Sequence, residues 1–293
     1  MPLSLEEARG WFAEDLRVAA GIKSPEVIDA FARVPRERFI GHPPWHIGMR
    51  VGGMGAETFA YGIFEGDARL LYHDVVVALD KANEINNGQP SLWAKLFDEL
   101  DLQPAARILH LGCGTGYYSA VLAEIVGPNG SVDAVEVDAQ LAERASEALC
   151  AWPNVSVRCA DGSESAPGRR DAIIVSAGLT HPLAGWLEGL APEGRLLFPL
   201  TMDGPLPRSG NGAMLLVSRT ERGSFAARFL GPAGFIHFRG GRDVDANAKL
   251  QGAFRKGIGE LVKVRSLRRD EHPEDDGCWL HGRNFCLSRR DPE

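Results

Sequence analysis

Short apolar segments alternate with longer amphipathic ones between Pro90 and Pro199, and this alternation constrains the fold more than any other feature of the sequence. The apolar segments have the length of buried strands, and the segments between them carry apolar residues at helical spacing. Strands separated by helices of this length form a parallel sheet that is covered on both faces. The pattern therefore predicts an α/β protein with a doubly wound, mostly parallel sheet.

The predicted strands of this sheet are Arg107–Leu111, Ser131–Val137, Val155–Val157, Asp171–Val175 and Gly194–Pro199. The predicted helices between them are Thr115–Val126, Ala139–Ala151 and Pro182–Leu190. A further helix face, formed by Leu92, Leu96, Phe97 and Leu100, precedes the first strand.

The segments on either side of the alternation have other patterns. Ser24 followed by Pro25 predicts a helix start, whereas residues 41–68 are rich in glycine, show no period and are predicted to be irregular. After Thr201, the predicted elements are a hairpin over 213–230, a helix over 246–258, a strand over 262–267 and a second hairpin over 278–287.

A glycine-rich loop follows the first strand of the alternation, with glycines at Gly112, Gly114 and Gly116. Glycine is needed where the backbone takes unusual dihedral angles or where a ligand approaches without meeting a Cβ atom. The loop leads from a strand to a helix, at the edge of the sheet where doubly wound folds bind nucleotides. The spacing G-x-G-x-G differs from the dinucleotide motif G-x-G-x-x-G and is the form associated with S-adenosylmethionine sites. Close packing of strand and helix is the alternative reason for such a loop.

Polar residues follow the next three strands in order. Glu136 ends the second strand, about 20 residues after the loop, where a carboxylate accepts hydrogen bonds from both ribose hydroxyls. Asp161 and Gly162 follow the third strand, in position to meet an adenine amino group, and Ser176 follows the fourth, beside the expected reaction centre. Each residue type is common at strand ends, but the ordered set predicts S-adenosylmethionine binding. The predicted cofactor-binding residues also include Cys113, Tyr117 and Val137, which adjoin these positions.

The charge and the apolar pattern argue against two classes of partner. The net charge is −7 with a pI near 5.7, so no overall field attracts a phosphate backbone and nucleic acid is not expected as a partner. The N-terminal segment is acidic, unlike a secretory signal, and no run approaches the roughly 18 apolar residues of a membrane span. We expect neither secretion nor a membrane partner.

The five cysteines are widely scattered, which fits reduced thiols and a cytoplasmic location better than a disulfide framework. Cys278 and Cys286 are eight positions apart, with His272 and His281 nearby, and this group suggests zinc. The spacing matches no common zinc motif. We therefore expect no metal and interpret these thiols as buried small hydrophobic residues.

Several motifs resemble the protein-L-isoaspartate O-methyltransferase family. Val34–Phe39 reads V-P-R-E-R-F, like the family's V-P-R-E-x-F signature, and Tyr72 and Asp74 look like its substrate-side Tyr-x-Asp. The D-A-I-I-V-S-A segment at 171–177 and the later hairpin also match, so the resemblance covers roughly 21–238. It implies a Rossmann-like class I methyltransferase fold and O-methyl transfer from S-adenosylmethionine.

The chain departs from the family at two positions. The family carries T-I-S-Q-P before the sheet, and its serine is held to be essential for isoaspartyl repair. Here the segment is N-N-G-Q-P, so Gly88 stands in the place of that serine, while Gln89 is retained and is grouped with the cofactor-binding residues. The family's acidic residue at the start of the glycine loop is His110 here. His110 either accepts a hydrogen bond from the cofactor's ammonium group or is a packed strand residue.

The acceptor decides whether a base is needed. Methyl transfer from a sulfonium is an in-line displacement that depends mainly on alignment. A carboxylate acceptor is already nucleophilic at neutral pH, whereas a phenol, amine or alcohol usually needs a general base. The candidate bases are His73, Asp74, His181 and His237. Among the candidates, Asp74 and His181, together with Tyr72, are predicted to be catalytic.

The sequence therefore predicts an S-adenosylmethionine-dependent O-methyltransferase that acts on a carboxylate or other nucleophile of a small metabolite or modified peptide, rather than repairing isoaspartate. A non-catalytic cofactor-binding scaffold is the alternative, and the glycine spacing disfavours an NAD-dependent dehydrogenase. We predict a substrate-side region at 1–89, a methyltransferase domain at 90–238 and a C-terminal α+β extension at 239–293. The extension caps the sheet, forms a wall of the acceptor pocket or mediates a homodimer.

Overall fold

A computed structural model of the chain describes residues 3–51, 58–164, 168–204 and 208–293. The chain divides into two compact units. Unit 1 comprises the described residues of 1–105, 113–134 and 138–159, and unit 2 comprises those of 106–112, 135–137 and 160–293. In the described ranges, none of the helices combines the length and the apolar character that a membrane crossing requires. The three predicted regions stay a prediction.

Unit 1 contains most of the helices. They are α1 (Leu5–Ala20), α2 (Pro25–Arg33), α3 (Glu37–Ile40), α4 (Pro90–Leu100), α5 (Tyr117–Val126) and α6 (Ala139–Ala148). Its strands are β1 (Trp45–Val51), β2 (Thr58–Phe64), β3 (Ala78–Asp80), β4 (Ile85–Asn86) and β7 (Val155–Cys159). The start of α2 confirms the sequence signal, because the Ser24 side chain accepts a hydrogen bond from Val27 N and Pro25 occupies the first turn.

The prediction of an irregular segment over 41–68 is wrong for its described residues. β1 and β2 form an antiparallel hairpin whose register runs from Trp45 opposite Phe64 to Val51 opposite Thr58. Trp45 and Ile47 are buried from alternate positions of β1, which is the period expected of a half-buried strand. Gly48 and Gly62 lie within the paired strands and have no side chain, so the alternation of the hairpin is not visible in the sequence. Residues 52–57 lie outside the described part.

Unit 2 contains most of the sheet. Its strands are β5 (Arg107–Leu111), β8 (Arg170–Val175), β9 (Leu190–Asp203), β10 (Ser209–Arg219), β11 (Phe225–Ile236), β12 (Ser266–Arg268), β13 (Cys278–His281) and β14 (Cys286–Ser288). Its helices are α7 (Ala184–Gly189) and α8 (Val244–Phe254). β6 (Ser131–Glu136) begins in unit 1 and ends in unit 2.

In the described part of the chain, ten strands form one sheet in the order β13-β14-β12-β11-β10-β9-β8-β5-β6-β7. β8 lies between β5 and β9 and is parallel to both, whereas β9 through β14 pair antiparallel with one another along the order. From β5 the chain order runs to β6 and β7 on one side and to β8 and β9 on the other. A sheet with this order is doubly wound, with its switch point between β5 and β8. The predicted fold class is confirmed.

The C-terminal residues continue this sheet. β12 pairs with β11 and β14, and β13 pairs with β14 at the end of the order. Of the roles considered for the extension, covering an edge of the sheet is therefore the one that strand pairing supports. A 3-10 turn over Ile258–Lys263 replaces the first part of the strand predicted at 262–267. The buried core of unit 2 includes Leu267, Trp279 and Leu287 from this region.

Candidate functional site

The glycine loop leads from β5 to α5. Gly112, Gly114 and Gly116 all have positive φ angles, of 72°, 57° and 91°, which favour glycine at each position. Gly116 is also required by packing, because a Cβ atom there would lie 2.6 Å from Cδ1 of Leu149. Gly112 has no neighbour closer than 3.8 Å to such an atom. Packing therefore explains the glycine at the end of the loop, and the contact of the loop with a cofactor stays a prediction.

The two predicted residues beside the loop's glycines are buried. Cys113 is 7% exposed and its sulfur lies 3.7 Å from the carbonyl oxygen of Gly114. Tyr117 packs edge-to-face against Phe31 and Phe39, at ring-centroid distances of 6.2 and 5.7 Å. Burial raises the pKa of the Tyr117 hydroxyl. These two side chains support the loop from within unit 1, and their contact with a cofactor stays a prediction.

His110 and Ser176 meet at the switch point of the sheet. Nε2 of His110 lies 2.9 Å from the Ser176 hydroxyl, and Ser176 N donates a hydrogen bond to Leu111 O. His110 is 1% exposed, and burial lowers its pKa to about 4. The imidazole is therefore neutral at pH 7. This geometry favours the packed strand residue over the ammonium acceptor, although both residues remain predicted members of the cofactor site.

The carboxylates near the end of β6 have different surroundings. Glu136 is 7% exposed, and its Oε1 accepts a hydrogen bond from Val137 N. Asp138, two positions later, caps α6 by accepting hydrogen bonds from Gln140 N and Leu141 N. A capping carboxylate is already used by the helix. The contact of Glu136 with the ribose hydroxyls stays a prediction.

Asp161 and Gly162 follow β7 at the start of a turn in unit 2. Oδ1 of Asp161 accepts hydrogen bonds from the backbone N and the hydroxyl of Ser163, which orient the carboxylate. A Cβ atom on Gly162 would lie 3.0 Å from the ring of Phe238, and the Gly162 carbonyl accepts a hydrogen bond from the Trp186 indole. These contacts fix the conformation of the turn, and the predicted contact of Asp161 with an adenine amino group stays a prediction.

Asp74 and Gln89 are brought together in unit 1. The Asp74 carboxylate accepts one hydrogen bond from Nε2 of Gln89, at 2.8 Å, and another from Ser91 N in the first turn of α4, also at 2.8 Å. A carboxylate at a helix N-terminus is stabilised by the helix dipole. Asp74 therefore anchors the segment that carries Gln89. Its predicted catalytic role is not needed to explain these contacts.

Arg36 and Glu37, which the sequence marks only as members of the V-P-R-E-R-F motif, hold this segment in position. Arg36 is fully buried, and its guanidinium donates hydrogen bonds to the carbonyl oxygens of Leu71, His73 and Val75. Its neighbour Glu37 accepts a hydrogen bond from the hydroxyl of Tyr72. The run of three charged residues between Pro35 and Phe39 in the V-P-R-E-R-F segment is the signal that the sequence offers. These contacts hold Tyr72 and Asp74 in place.

The hydroxyl of Tyr72 is a donor and not a base. Burial, followed by the Glu37 carboxylate, raises its pKa, so the phenol stays protonated at neutral pH. Its ring packs edge-to-face against Phe12 at a centroid distance of 5.9 Å. The structure gives Tyr72 a positioning role in unit 1, and its predicted catalytic role stays a prediction.

Gly88 cannot accept a side chain in this conformation. Its φ is +72°, and a Cβ atom there would lie 2.5 Å from Nε1 of the buried Trp93. The hydroxyl of Tyr118 donates a hydrogen bond to the Gly88 carbonyl. The adjacent Asn87 is also buried, and its Oδ1 accepts a hydrogen bond from Val77 N. The backbone conformation of Gly88 and the position of Trp93 therefore leave no room for the serine that the family carries here.

The candidate histidine bases differ in environment. His73 is exposed, while His181 and His237 are partly buried in unit 2, and burial lowers the pKa of both. Nδ1 of His181 lies 3.0 Å from the Thr180 hydroxyl. Nε2 of His237 lies 3.6 Å from Oδ1 of Asp203. Both partly buried imidazoles are neutral at pH 7 and can accept a proton.

One group of potential metal ligands occurs in the described residues, and it lies in the C-terminal extension. It consists of His272, Cys278, His281 and Cys286. The sequence spacing gave no reason to expect a metal there. The structure places the four side chains together.

The chain is similar to named O-methyltransferases over most of its length. The family model for protein-L-isoaspartate(D-aspartate) O-methyltransferase matches residues 57–237. A protein-L-isoaspartate O-methyltransferase of Methylorubrum extorquens is 35% identical over 236 residues, covering 78% of this chain and 87% of the relative. The corresponding enzyme of Aeropyrum pernix is 34% identical over 199 residues, covering 66% of this chain and 67% of the relative.

Solved structures support the same fold. A protein-L-isoaspartate O-methyltransferase structure has a TM-score of 0.63 at 22% identity, covering 84% of this chain and 69% of that one. A putative protein-L-isoaspartate O-methyltransferase of Plasmodium falciparum, in complex with S-adenosyl-L-homocysteine, has a TM-score of 0.58 at 17% identity, covering 78% and 97%. At these identities the likeness supports the fold alone.

The sequence relatives, the family model and the class I fold agree with one another. The predicted family, enzyme class and S-adenosylmethionine cofactor are confirmed at the level of the family. The chain belongs to the protein-L-isoaspartate(D-aspartate) O-methyltransferase family of S-adenosylmethionine-dependent enzymes.

Proposed function

We propose that this chain transfers the methyl group of S-adenosylmethionine to a carboxylate or other nucleophile on a small metabolite or modified peptide, and does not repair ordinary isoaspartyl residues. One observation carries the proposal. The position that corresponds to the family's serine is Gly88, whose positive φ and contact with Trp93 exclude a side chain. Acceptor recognition in this chain therefore does not use a hydroxyl at that position.

The residues present fit the cofactor. The glycine loop has positive φ angles at Gly112, Gly114 and Gly116, and Glu136 offers a buried carboxylate of the type that accepts hydrogen bonds from ribose hydroxyls. Asp161, held by Ser163, follows the next strand. The cofactor, when bound, supplies an electrophilic methyl group on a sulfonium. In this proposal Gly112, Glu136, Asp161 and Ser176 bind and orient it, with Gly114, Gly116, Val137 and Gln89 completing the set.

The acceptor's chemistry decides the role of the histidines. A carboxylate acceptor needs orientation and no base, because it is ionised at neutral pH. An alcohol, amine or phenol loses a proton as the methyl group is transferred, and His181 and His237 are neutral and able to take it. Buried Asn87 lies next to Gly88 and offers an amide donor to an acceptor oxygen. We propose that this amide takes over part of the orienting role of the serine.

The cofactor part of the proposal is tested by calorimetric titration with S-adenosylhomocysteine. We expect Glu136→Ala to weaken binding at least about tenfold, because a hydrogen bond to a charged group contributes about 1.5–3 kcal/mol. Asp138→Asn is the matched control, since asparagine caps a helix as well as aspartate does. Equal affinity of Glu136→Ala and wild type would contradict the assignment of Glu136.

The acceptor part is tested by labelled methyl transfer to an isoaspartyl peptide, with the Methylorubrum relative assayed in parallel. We expect this chain to be slower by about a hundredfold or more, the loss typical when one orienting donor is removed. Gly88→Ser is not expected to restore activity, because the new side chain collides with Trp93. A rate equal to that of the relative would overturn the proposal. Base-labile label on other peptides or metabolites would identify a carboxyl acceptor.

The remaining partner predictions belong to this proposal. β13 ends the strand order, and an edge strand presents unpaired backbone groups to a second chain, which supports a homodimer through the extension. The net charge of −7 argues against nucleic acid. In the described residues the five cysteines form no disulfide, which supports the predicted cytoplasmic location. Sedimentation analysis of the full chain tests the dimer.

A further inference from the structure

Two histidines and two cysteines converge in the C-terminal extension of unit 2. His272, Cys278, His281 and Cys286 each offer one ligand atom, and all four atoms lie within 4.8 Å of one another. Both cysteines are buried and both histidines are partly buried. The group lies outside residues 57–237, which the family model matches.

An irregularity in strand pairing brings three of them to one side of the hairpin. His281 lies directly opposite Cys286 in the antiparallel pair β13–β14. Cys278 is three positions before His281, and in a regular strand these two side chains would point to opposite faces. The register shifts between Cys278 and Leu280. Such an irregularity re-aims a side chain, and the Cys278 sulfur lies 3.9 Å from Nδ1 of His281.

The fourth residue comes from the loop before β13. Nε2 of His272 lies 3.6 Å from the Cys278 sulfur. With zinc–sulfur and zinc–nitrogen bonds of about 2.3 and 2.0–2.1 Å, sulfur and nitrogen on a tetrahedral zinc ion are about 3.6 Å apart. The two sulfur–nitrogen distances in the structure, 3.6 and 3.9 Å, are close to this separation. The side chains thus need only small movements to surround one ion.

The neighbours of His272 fix its ring in the orientation that a ligand needs. Nδ1 of His272 lies 2.9 Å from the carbonyl oxygen of Asp270 and 3.3 Å from its carboxylate. Asp270 is in turn paired with Arg268. With the proton on Nδ1 donated to Asp270, Nε2 presents its lone pair toward Cys278. Metal-binding histidines are held by such a carbonyl or carboxylate partner.

The sulfur side has a supporting contact as well. Asp275 N lies 3.5 Å from the Cys278 sulfur and donates a hydrogen bond to it. A donor aimed at a sulfur stabilises the negative charge of a thiolate, which is the form that binds metal. This contact is independent of the histidine orientation, and both point to the same centre.

We infer that His272, Cys278, His281 and Cys286 bind one zinc ion in a closed, structural, tetrahedral site. Two sulfur and two nitrogen ligands are a donor set that selects zinc. On binding, each thiol releases its proton to solvent, so the two thiolates balance the charge of the ion. All four positions are filled by protein, which leaves none for a substrate. The ion fastens the loop that carries His272 to the β13–β14 hairpin at the edge of the sheet.

The first experiment measures zinc in the full chain, purified without chelator and then passed through gel filtration with excess zinc removed. We expect one zinc ion per chain by mass spectrometry of the metal. Cys278→Ser, Cys286→Ser and His272→Gln should each lose most of it. Cys150→Ser, at an exposed cysteine outside the group, is the matched control and should retain it. Zinc-free wild type, or a disulfide between Cys278 and Cys286 in protein purified without oxygen, would overturn the inference.

A second measurement does not depend on the variants folding. The zinc of the wild-type chain is exchanged for cobalt, whose absorption spectrum reports coordination geometry and sulfur ligation. We expect the intense visible bands of tetrahedral cobalt together with sulfur-to-cobalt charge-transfer absorption. Weak octahedral bands without the charge-transfer absorption would show that these side chains do not form the site.

Discussion

Gly116 ends the glycine loop at the start of α5. Its replacement tests two requirements for glycine there, a left-handed backbone and close packing against Leu149. We expect Gly116→Ala to destabilise the protein by about 2–4 kcal/mol, because a left-handed backbone costs alanine about 1 kcal/mol and overpacking adds about 1–3 kcal/mol. The added Cβ would lie 2.6 Å from Leu149. The free energy of unfolding from urea titration checks this.

Gly21 is the matched control for that prediction. It ends α1 with φ +65° and ψ 38°, and a Cβ atom there has no neighbour within 4 Å among the residues that the structure describes. Gly21→Ala should therefore cost only the backbone contribution, about 1 kcal/mol. Equal losses in the two variants would show that contact with Leu149 does not constrain the loop.

His110 links the sheet's stability to pH. Its pKa is about 4 in the folded chain and 6.5 ordinarily, so between these values the unfolded chain binds more protons. Stability should therefore rise with pH from about 4 to 6.5 and be fully present above that range, with a contribution on the order of 3 kcal/mol. His110→Gln should flatten this part of the profile of unfolding free energy against pH. An unchanged slope would mean that His110 is not neutral in the folded chain.

At the scale of elements, Arg36 fastens the segment 71–75 to the N-terminal helices. Arg36→Met removes the donor from three carbonyl oxygens, and each buried group left without a partner costs about 1–3 kcal/mol. We expect a loss of at least about 3 kcal/mol in the free energy of unfolding. Arg33→Ala is the control, because its ion pairs with Asp29 and Glu124 involve an exposed arginine and should contribute less than about 1 kcal/mol. Similar losses of unfolding free energy in the two variants would show that the hydrogen bonds of Arg36 do not fasten the segment 71–75.

The order of strands and helices from α4 to β9 follows from the hydrophobic periodicity of the sequence, because these strands lie in a sheet that helices cover. The hairpin β1–β2 did not follow, since Gly48 and Gly62 carry no side chain to mark its alternation. The candidate site residues at strand ends, such as Glu136, follow from their order along the chain, and their contact with the cofactor stays a prediction. The tight contact at Gly88 could not, because Trp93 fills that space through the three-dimensional path of the chain.

The group of His272, Cys278, His281 and Cys286 in the extension also could not be predicted from the sequence. Spacing along the chain argued against a metal, since His272 and Cys286 belong to no common motif. An irregular register in β13 and a loop that folds back bring the ligand atoms together. Metal-binding motifs describe ligands whose spacing along the chain is fixed by a regular local backbone. Here strand pairing brings the side chains close together instead.

At the scale of the whole molecule, the family match ends at residue 237 while the sheet continues through β12, β14 and β13. Leu250, Leu267 and Leu287 belong to the buried core of unit 2. The ring of Trp279 lies 5.1 Å from that of Phe229 in β11. The extension is therefore part of the core and not an appendage. A chain ending at residue 238 should leave this apolar surface exposed.

We expect the chain truncated after residue 238 to aggregate or to lose cooperative unfolding, and Trp279→Ala in the full chain to cost about 3–5 kcal/mol. Val262→Ala is the control within the extension, because Val262 is 71% exposed and should change stability by less than about 0.5 kcal/mol. Thermal unfolding followed by circular dichroism and light scattering distinguishes the outcomes. A truncated chain that stayed monomeric and unfolded at the wild-type temperature would show that the family region completes its core without the extension.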